Sequence, residues 1–306
     1  MESERKQRIK VLYIAGFERS GSTLVNRVFG QIDSFVAWGE LRDIWGHGVS
    51  ENRSCTCGTT FHNCEVWQKV LDYGFGGINN LNASRLIELL QKSRKYIAIE
   101  HVSPVPIKTP SEVYQYLDNL LKLYRAIQSV TGCRVIVDST KASWYGAALK
   151  RISDIDIYTL HITRDPRGVC HSLKRRKQQG EPECQWYNPL HASLAWMLKN
   201  SAVESFLSKP KQKYMRMKFE DFVLSPKESV QSVLDMMDEV CPNLPFVEKD
   251  AVQMKTDHIF TGSPSSRSDV GNVQLKLDER WKENMNLRDK NTIAVITAPL
   301  RRKYQY

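Results

Sequence analysis

A single α/β domain built on a parallel sheet is the fold class that this sequence predicts, and three observations lead there. Short apolar runs recur at residues 11–15, 133–138 and 155–163, without the alternation of a half-exposed strand, as expected for strands covered on both faces. Each run is followed by residues at helical spacing, so strands and helices alternate along the chain. Polar and charged residues fall just beyond the carboxyl ends of these runs, where open parallel sheets collect their functional groups. The 306 residues are long for one domain but normal for one α/β unit with insertions. The reading is a flexible N-terminus over 1–8 and one domain over 9–306, with no internal repeat.

The first element is Val11-Leu12-Tyr13-Ile14-Ala15, rich in strand formers and followed by Gly16-Phe17-Glu18-Arg19-Ser20-Gly21-Ser22-Thr23. Leu24 to Phe29 then continues with helical spacing. A strand, a glycine-bracketed loop and a helix start make an anion cradle, because loop N–H groups and the helix dipole converge on one point. The spacing is G-x-x-x-x-G, that of a P-loop, but Ser22-Thr23 stands where the motif has Lys-Ser/Thr. Without the lysine the loop is poorly equipped for the β/γ-phosphates of a nucleoside triphosphate, and Arg19 supplies the positive charge. The competing reading is an ordinary strand–turn–helix junction with an exposed arginine.

Next comes Phe35 to Asp43, where Glu40 lies between Trp38 and Arg42. One helix downstream of the cradle, it is placed to return to the same sheet edge, as a general base or as a surface ion pair. Residues 46–82 are rich in Gly, Asn, Cys and Thr and read as a loop-rich insertion, a natural place for acceptor specificity. Within it lie Cys55, Cys57 and Cys64, with His62 between the last two. A C-x-C-x4-H-x-C zinc knuckle is off the usual ligand spacing, so packed thiols are the first reading and a metal the second. Seven cysteines in all, four standing alone, do not suggest a disulfide framework.

Pro110 starts a long helix with apolar residues at three and four, and Gly132 stops it. Ser139-Thr140-Lys141 follows the second strand, which brings Lys141 to the cradle's edge. The third strand ends in Arg164-Asp165-Pro166-Arg167. Pro166 suits the first turn of a helix that carries Ser172, Arg175, Arg176 and Lys177. A helix over 187–208 groups Leu190, Leu194, Met197 and Leu198 on one face. Tyr214 to Phe219 alternates like a strand, with Glu220 and Asp221 after it, and Ser225-Pro226 opens the next helix. Pro264 to Asn272 reads as a loop and Asn291 to Tyr304 as a closing helix.

A net charge of +10 attracts polyanions, which leaves nucleic acid, a membrane surface or a small anion as partners. The basic residues are spread along the chain, with no zinc-finger or RNA-recognition signature, and no nucleic-acid partner is expected. Met1 to Lys10 is polar and no apolar run approaches ~18 residues. The expectation is a cytoplasmic protein without a spanning helix, at most peripheral to a membrane.

Taken together, these segments resemble the sulfotransferases that use 3′-phosphoadenosine 5′-phosphosulfate (PAPS). Phe17 to Leu24 is similar to their 5′-phosphosulfate loop, and Arg164-Asp165-Pro166-Arg167 with Ser172 to their 3′-phosphate motif. Val137 to Lys141, Lys218 to Asp221 and Leu277 to Trp281 resemble further family segments, in order, over roughly residues 9–304. The pattern is similar to the bacterial-type and tyrosylprotein-like branches, in which a glutamate is the base; that glutamate is Glu40 here. The histidine of the steroid and phenol branch has no counterpart, and neither do the anchor and secretory address of the tyrosylprotein enzymes.

The resemblance implies in-line sulfuryl transfer from PAPS to a hydroxyl or amine acceptor of unknown identity, on a P-loop-NTPase-like fold and without a metal. Glu40, Arg19 and Lys141 are the implied catalytic residues. Arg19, Ser20, Gly21, Ser22, Thr23, Arg164 and Ser172 are the implied donor-binding residues, while Arg167 is expected to matter less. His258 is the fallback base. A P-loop kinase, with Asp138 as its magnesium ligand, and a basic nucleic-acid-binding protein are the alternatives.

Overall fold

The computed structural model describes residues 8–178, 188–262 and 269–306. Nearly all of the N-terminus expected to be flexible, and most of the loop expected over Pro264 to Asn272, lie outside the described residues. Five parallel strands form the sheet in the order β2-β3-β1-β4-β5. They are β1 (Ile9–Gly16), β2 (Phe35–Ala37), β3 (Val135–Lys141), β4 (Ile155–Thr163) and β5 (Tyr214–Lys218). The strand expected over 133–138 starts two residues later and runs on through Lys141.

Strand β1 is central, and its side chains divide between two cores. Val11, Tyr13 and Ala15 enter one together with Tyr116, Tyr124 and Tyr145. Leu12 and Ile14 enter the other with Val25, Val28 and Phe29 of α1 (Ser22–Phe29). Burial on both faces is why the run is continuously apolar. A third cluster joins Phe17, Val169, Leu173 and Trp196 to Ile293, Leu300 and Tyr304 near the C-terminus.

The register between β1 and β3 slips near their carboxyl ends: Tyr13 pairs with Asp138, but Ala15 pairs with Lys141. One extra residue on β3 forms a bulge, which re-aims the side chain beyond it. Lys141 leaves the strand at φ 68°.

Three expectations are corrected. Residues 46–82 are mostly helical, carrying a π-helical turn Ile44–Ser50 and helix α2 (Glu65–Phe75). Trp67, Val70 and Leu71 are buried there at helical spacing. One of the glycines in this stretch, Gly76, is the C-cap of α2. A second helix, α3 (Ala83–Val102), follows before α4 (Ser111–Thr131), and Asn82 caps its N-terminus by accepting from the Arg85 N–H. In the helix over Pro189–Leu207 the buried side is Ala192, Ala195, Trp196, Val203 and Leu207. Leu190, Leu194 and Leu198 face outward, Leu198 at 70% exposure. These leucines share one face, and it is the outer one. The closing helix is two, Leu287–Ile296 and Ala298–Lys303, because Pro299 removes a backbone donor. Gly271 and Asn272, expected in a loop, begin strand β7 (Gly271–Gln274), which pairs antiparallel with β6 (Ala251–Met254).

Candidate active site

The carboxyl ends of β1, β3 and β4 open into a cavity of about 1580 Å³, lined by more lysine and arginine side chains than carboxylates. Its floor is the turn after β1. Arg19 has φ 65° and Gly21 φ 87°, so the chain doubles back tightly before α1 begins at Ser22. A Cβ on Gly21 would stand 2.1 Å from the Phe219 ring, so only glycine fits both the conformation and the space. The first N–H groups of a helix have no intrahelical acceptor; Ser22 and Thr23 line the cavity at that helix start. Ser20 is 1% exposed, and its Oγ has no hydrogen-bond partner. A buried hydroxyl left unpaired costs free energy unless something supplies a partner. An anion seated in the cradle would supply one.

The turn is braced from the opposite side of the sequence. Arg19 Nε donates to Ser172 Oγ at 3.0 Å. Arg164 Nη1 donates to the Arg19 carbonyl at 3.2 Å, and its Nη2 to the Asp278 carbonyl at 2.8 Å. The Arg164 guanidinium lies 5.5 Å from the centre of the Phe219 ring. Burial lowers its pKa, since removing a cation from water disfavours the charged form. Arg167 turns elsewhere. It pairs with Asp165 and stacks 4.5 Å over Trp281.

Glu40 reaches the cavity from the segment after β2. Gly39 has φ 68°, and a Cβ there would meet Ile259 and Thr261 within 3 Å. Its N–H donates to Asn26 Oδ1 and its carbonyl accepts from the Ser139 N–H. The Glu40 N–H donates to Thr261 Oγ1 at 2.9 Å. Glu40 is thus fixed by α1, β3 and a distant segment at once. Its carboxylate forms an ion pair with Lys141 Nζ, and Arg42 Nη2 stands 4.0 Å away. Lys141, Glu40, Arg19 and Arg164 all line the one cavity.

Two residues weighed from sequence lie elsewhere. Asp138, the magnesium-ligand candidate of the kinase reading, is fully buried and outside the cavity lining. It accepts from Thr140 N–H, Thr140 Oγ1 at 2.6 Å and Tyr124 OH at 2.5 Å. Burial pushes its pKa up to about 6. This carboxylate organises the core behind Lys141. His258, the fallback base, is also absent from the cavity lining; its Nδ1 lies 3.2 Å from Cys64 Sγ. Sequence reasoning passed over the segment of Phe260, Thr261 and Gly262, which lines the cavity beside Glu40. No motif marks it, and its role depends on a contact across more than two hundred residues.

A family model described as the sulfotransferase family matches residues 12–241. The sulfotransferase domain of the Synechococcus PCC 7002 olefin synthase is similar in structure, with TM-score 0.53 at 16% identity, over 100% of this chain and 98% of that one. The sulfotransferase domain from the curacin biosynthetic pathway gives TM-score 0.51 at 18% identity, over 95% and 97% of the two chains. No curated protein matches this chain. With its family model spanning strands β1 to β5 and the turn, Glu40, Lys141, Arg164 and Ser172 between them, the chain belongs to the sulfotransferase family.

Proposed function

We propose that this enzyme transfers a sulfuryl group from PAPS to a hydroxyl or amine acceptor, with Glu40 as general base. The observation that carries the reading is the meeting of Arg19, Ser172 and Arg164 at the cradle, from positions 153 and 145 residues apart. A donor with phosphates on the 3′ and 5′ carbons of one ribose needs anion-binding groups close together, and the contacts among Arg19, Ser172 and Arg164 support such a donor. The unpaired Ser20 hydroxyl supports an anion in the turn.

Ser20, Gly21, Ser22 and Thr23 would hold the 5′-phosphosulfate, and Arg164 with Ser172 the 3′-phosphate. Glu40 takes the acceptor proton as the acceptor oxygen or nitrogen bonds to sulfur. The bond from sulfur to the bridging phosphate oxygen breaks, leaving adenosine 3′,5′-bisphosphate. Arg19 and Lys141 stabilise the charge that gathers on the sulfuryl oxygens and the leaving phosphate. No magnesium ligand is needed in these steps, because the positive charge comes from side chains.

Thermal-shift and calorimetric titration with adenosine 3′,5′-bisphosphate, ATP–magnesium and an oligonucleotide test the reading. Saturable stabilisation by the bisphosphate, well above that by the other two, is expected. Preference for ATP–magnesium would overturn it in favour of a kinase.

A further inference from the structure

We propose that Cys55, Cys57, Cys64 and His258 form a structural zinc site that fastens the 51–64 segment to residues 257–261, the strap beside Glu40. The three Sγ atoms and one imidazole nitrogen all lie within 4.8 Å of one another. Cys55 Sγ and Cys64 Sγ are 3.8 Å apart, and Cys64 Sγ is 3.2 Å from His258 Nδ1. A tetrahedral zinc with Zn–S near 2.3 Å has sulfur–sulfur edges of about 3.8 Å and slightly shorter sulfur–nitrogen edges. A disulfide needs sulfurs about 2.05 Å apart, so these are separate thiols, at a spacing that matches ligands around an ion. Three thiolates with one imidazole are a soft donor set that favours zinc over magnesium or calcium.

His62, which the sequence places among these cysteines, is not part of the cluster. Its Nε2 lies 2.8 Å from the Val49 carbonyl. The fourth ligand comes instead from His258, 194 residues beyond Cys64. The backbone is already folded for the purpose. Cys55 and Gly58 form a tight turn, with the Gly58 N–H on the Cys55 carbonyl and Gly58 at φ 94°. Thr56 binds the strap on both sides of His258, its N–H on the Ile259 carbonyl and its Oγ1 on Asp257, while the Ile259 N–H donates to Thr56 Oγ1. Trp67 Nε1 donates to the His258 carbonyl at 2.8 Å.

Four protein ligands close a zinc site and leave no position for water or substrate, so its role is structural. Three residues past His258, Thr261 accepts from the Glu40 N–H. The ion would thereby act as a positioning element for Glu40 without touching the reacting atoms. This assignment stands independently of the donor and acceptor proposed above.

The test is elemental analysis of full-length protein made in zinc-supplemented medium and purified without chelator or histidine tag. A zinc-to-protein ratio near one is expected in wild type and in His62→Ala, falling several-fold in His258→Ala and Cys57→Ser. Cobalt replacement should give the intense thiolate charge-transfer absorption of a tetrahedral site. A strong chelator should lower the melting temperature by several degrees, since binding energy at such a site is folding energy. Should His258→Ala prove insoluble, the wild-type ratio and the cobalt spectrum decide. Metal-free wild type, a Cys55–Cys64 disulfide in non-reducing mass spectrometry, or loss of metal in His62→Ala with retention in His258→Ala would each overturn the assignment.

Discussion

Glu40 and Lys141 are ion-paired in the lining of the cavity, although one follows β2 and the other ends β3. The pairing follows from the bulge between β1 and β3, which carries Lys141 round towards the carboxylate. Glu40→Gln keeps size and hydrogen bonding but cannot take the proton. Turnover is expected to fall by ~10²–10⁴, with bisphosphate affinity almost unchanged. Normal turnover, or loss of donor affinity in step with turnover, would remove Glu40 from the role.

Arg164 is expected to make charge-assisted bonds to the 3′-phosphate, each worth roughly 1.5–3 kcal/mol. Arg164→Ala should weaken bisphosphate binding by about tenfold to a hundredfold. Because the same guanidinium holds the Arg19 and Asp278 carbonyls, the melting temperature should fall slightly as well. Arg167→Ala, which loses only its Asp165 and Trp281 contacts, should leave affinity within a few-fold. Calorimetry on both variants separates the two arginines; equal losses would contradict the assignment.

Gly21→Ala places a methyl group against the Phe219 ring at a φ of 87°. Strain of this kind costs on the order of 1–3 kcal/mol, before the clash is counted. Chemical denaturation should show at least that loss, accompanied by weaker bisphosphate binding. Wild-type stability and affinity in the variant would mean that the turn is not shaped as described.

His161 supplies a pH dependence unrelated to catalysis. It is fully buried between Tyr214 OH at 2.8 Å and Asn200 Oδ1 at 2.9 Å. Burial pushes its pKa down from 6.5 to about 4. The unfolded chain therefore binds the proton first as pH falls, and stability is lost between about 6.5 and 4. The integrated effect is on the order of 3 kcal/mol. Asp138, raised to about 6 by burial, acts in the opposite sense, binding its proton in the folded state first. The two contributions nearly cancel between about pH 6 and 4, so relative to wild type stability should fall as pH drops in Asp138→Asn and rise as pH drops in His161→Gln. Comparing slopes rather than absolute stabilities keeps the test independent of what each substitution costs at neutral pH.

The parts of the site legible in the sequence were those that depend on short spacing. The turn from Gly16 to Thr23 is a local pattern, and Arg164 with Ser172 lie within one strand–helix junction. The parallel class of the sheet and the gathering of polar residues at its carboxyl edge followed from continuous apolar runs such as β1 and β4, whereas the strand order did not. What stayed hidden depends on contacts between distant residues. That Thr261 touches Glu40, or that His258 rather than His62 completes the cysteine cluster, leaves no periodic trace. The helix over Pro189–Leu207 shows the converse limit. Leu190, Leu194 and Leu198 make a clear apolar stripe, yet the smaller Ala192 and Ala195 sit inward beside Trp196. Period reveals a helix, whereas the core side depends on the room left by its neighbours.

Arg19 and Lys141 share one backbone property, a positive φ at a residue other than glycine. Selection of this protein for heat resistance alone would therefore be drawn to glycine or asparagine at positions 19 and 141, where either relieves the left-handed conformation. Such survivors would outlast the parent on heating while having discarded the two cations proposed to stabilise the transferred group. A library screened for melting temperature would enrich at these two sites, and the same library screened for turnover would purge them. Opposite enrichment at 19 and 141 under the two screens would mark the turn and the bulge as places where durability has been surrendered to chemistry.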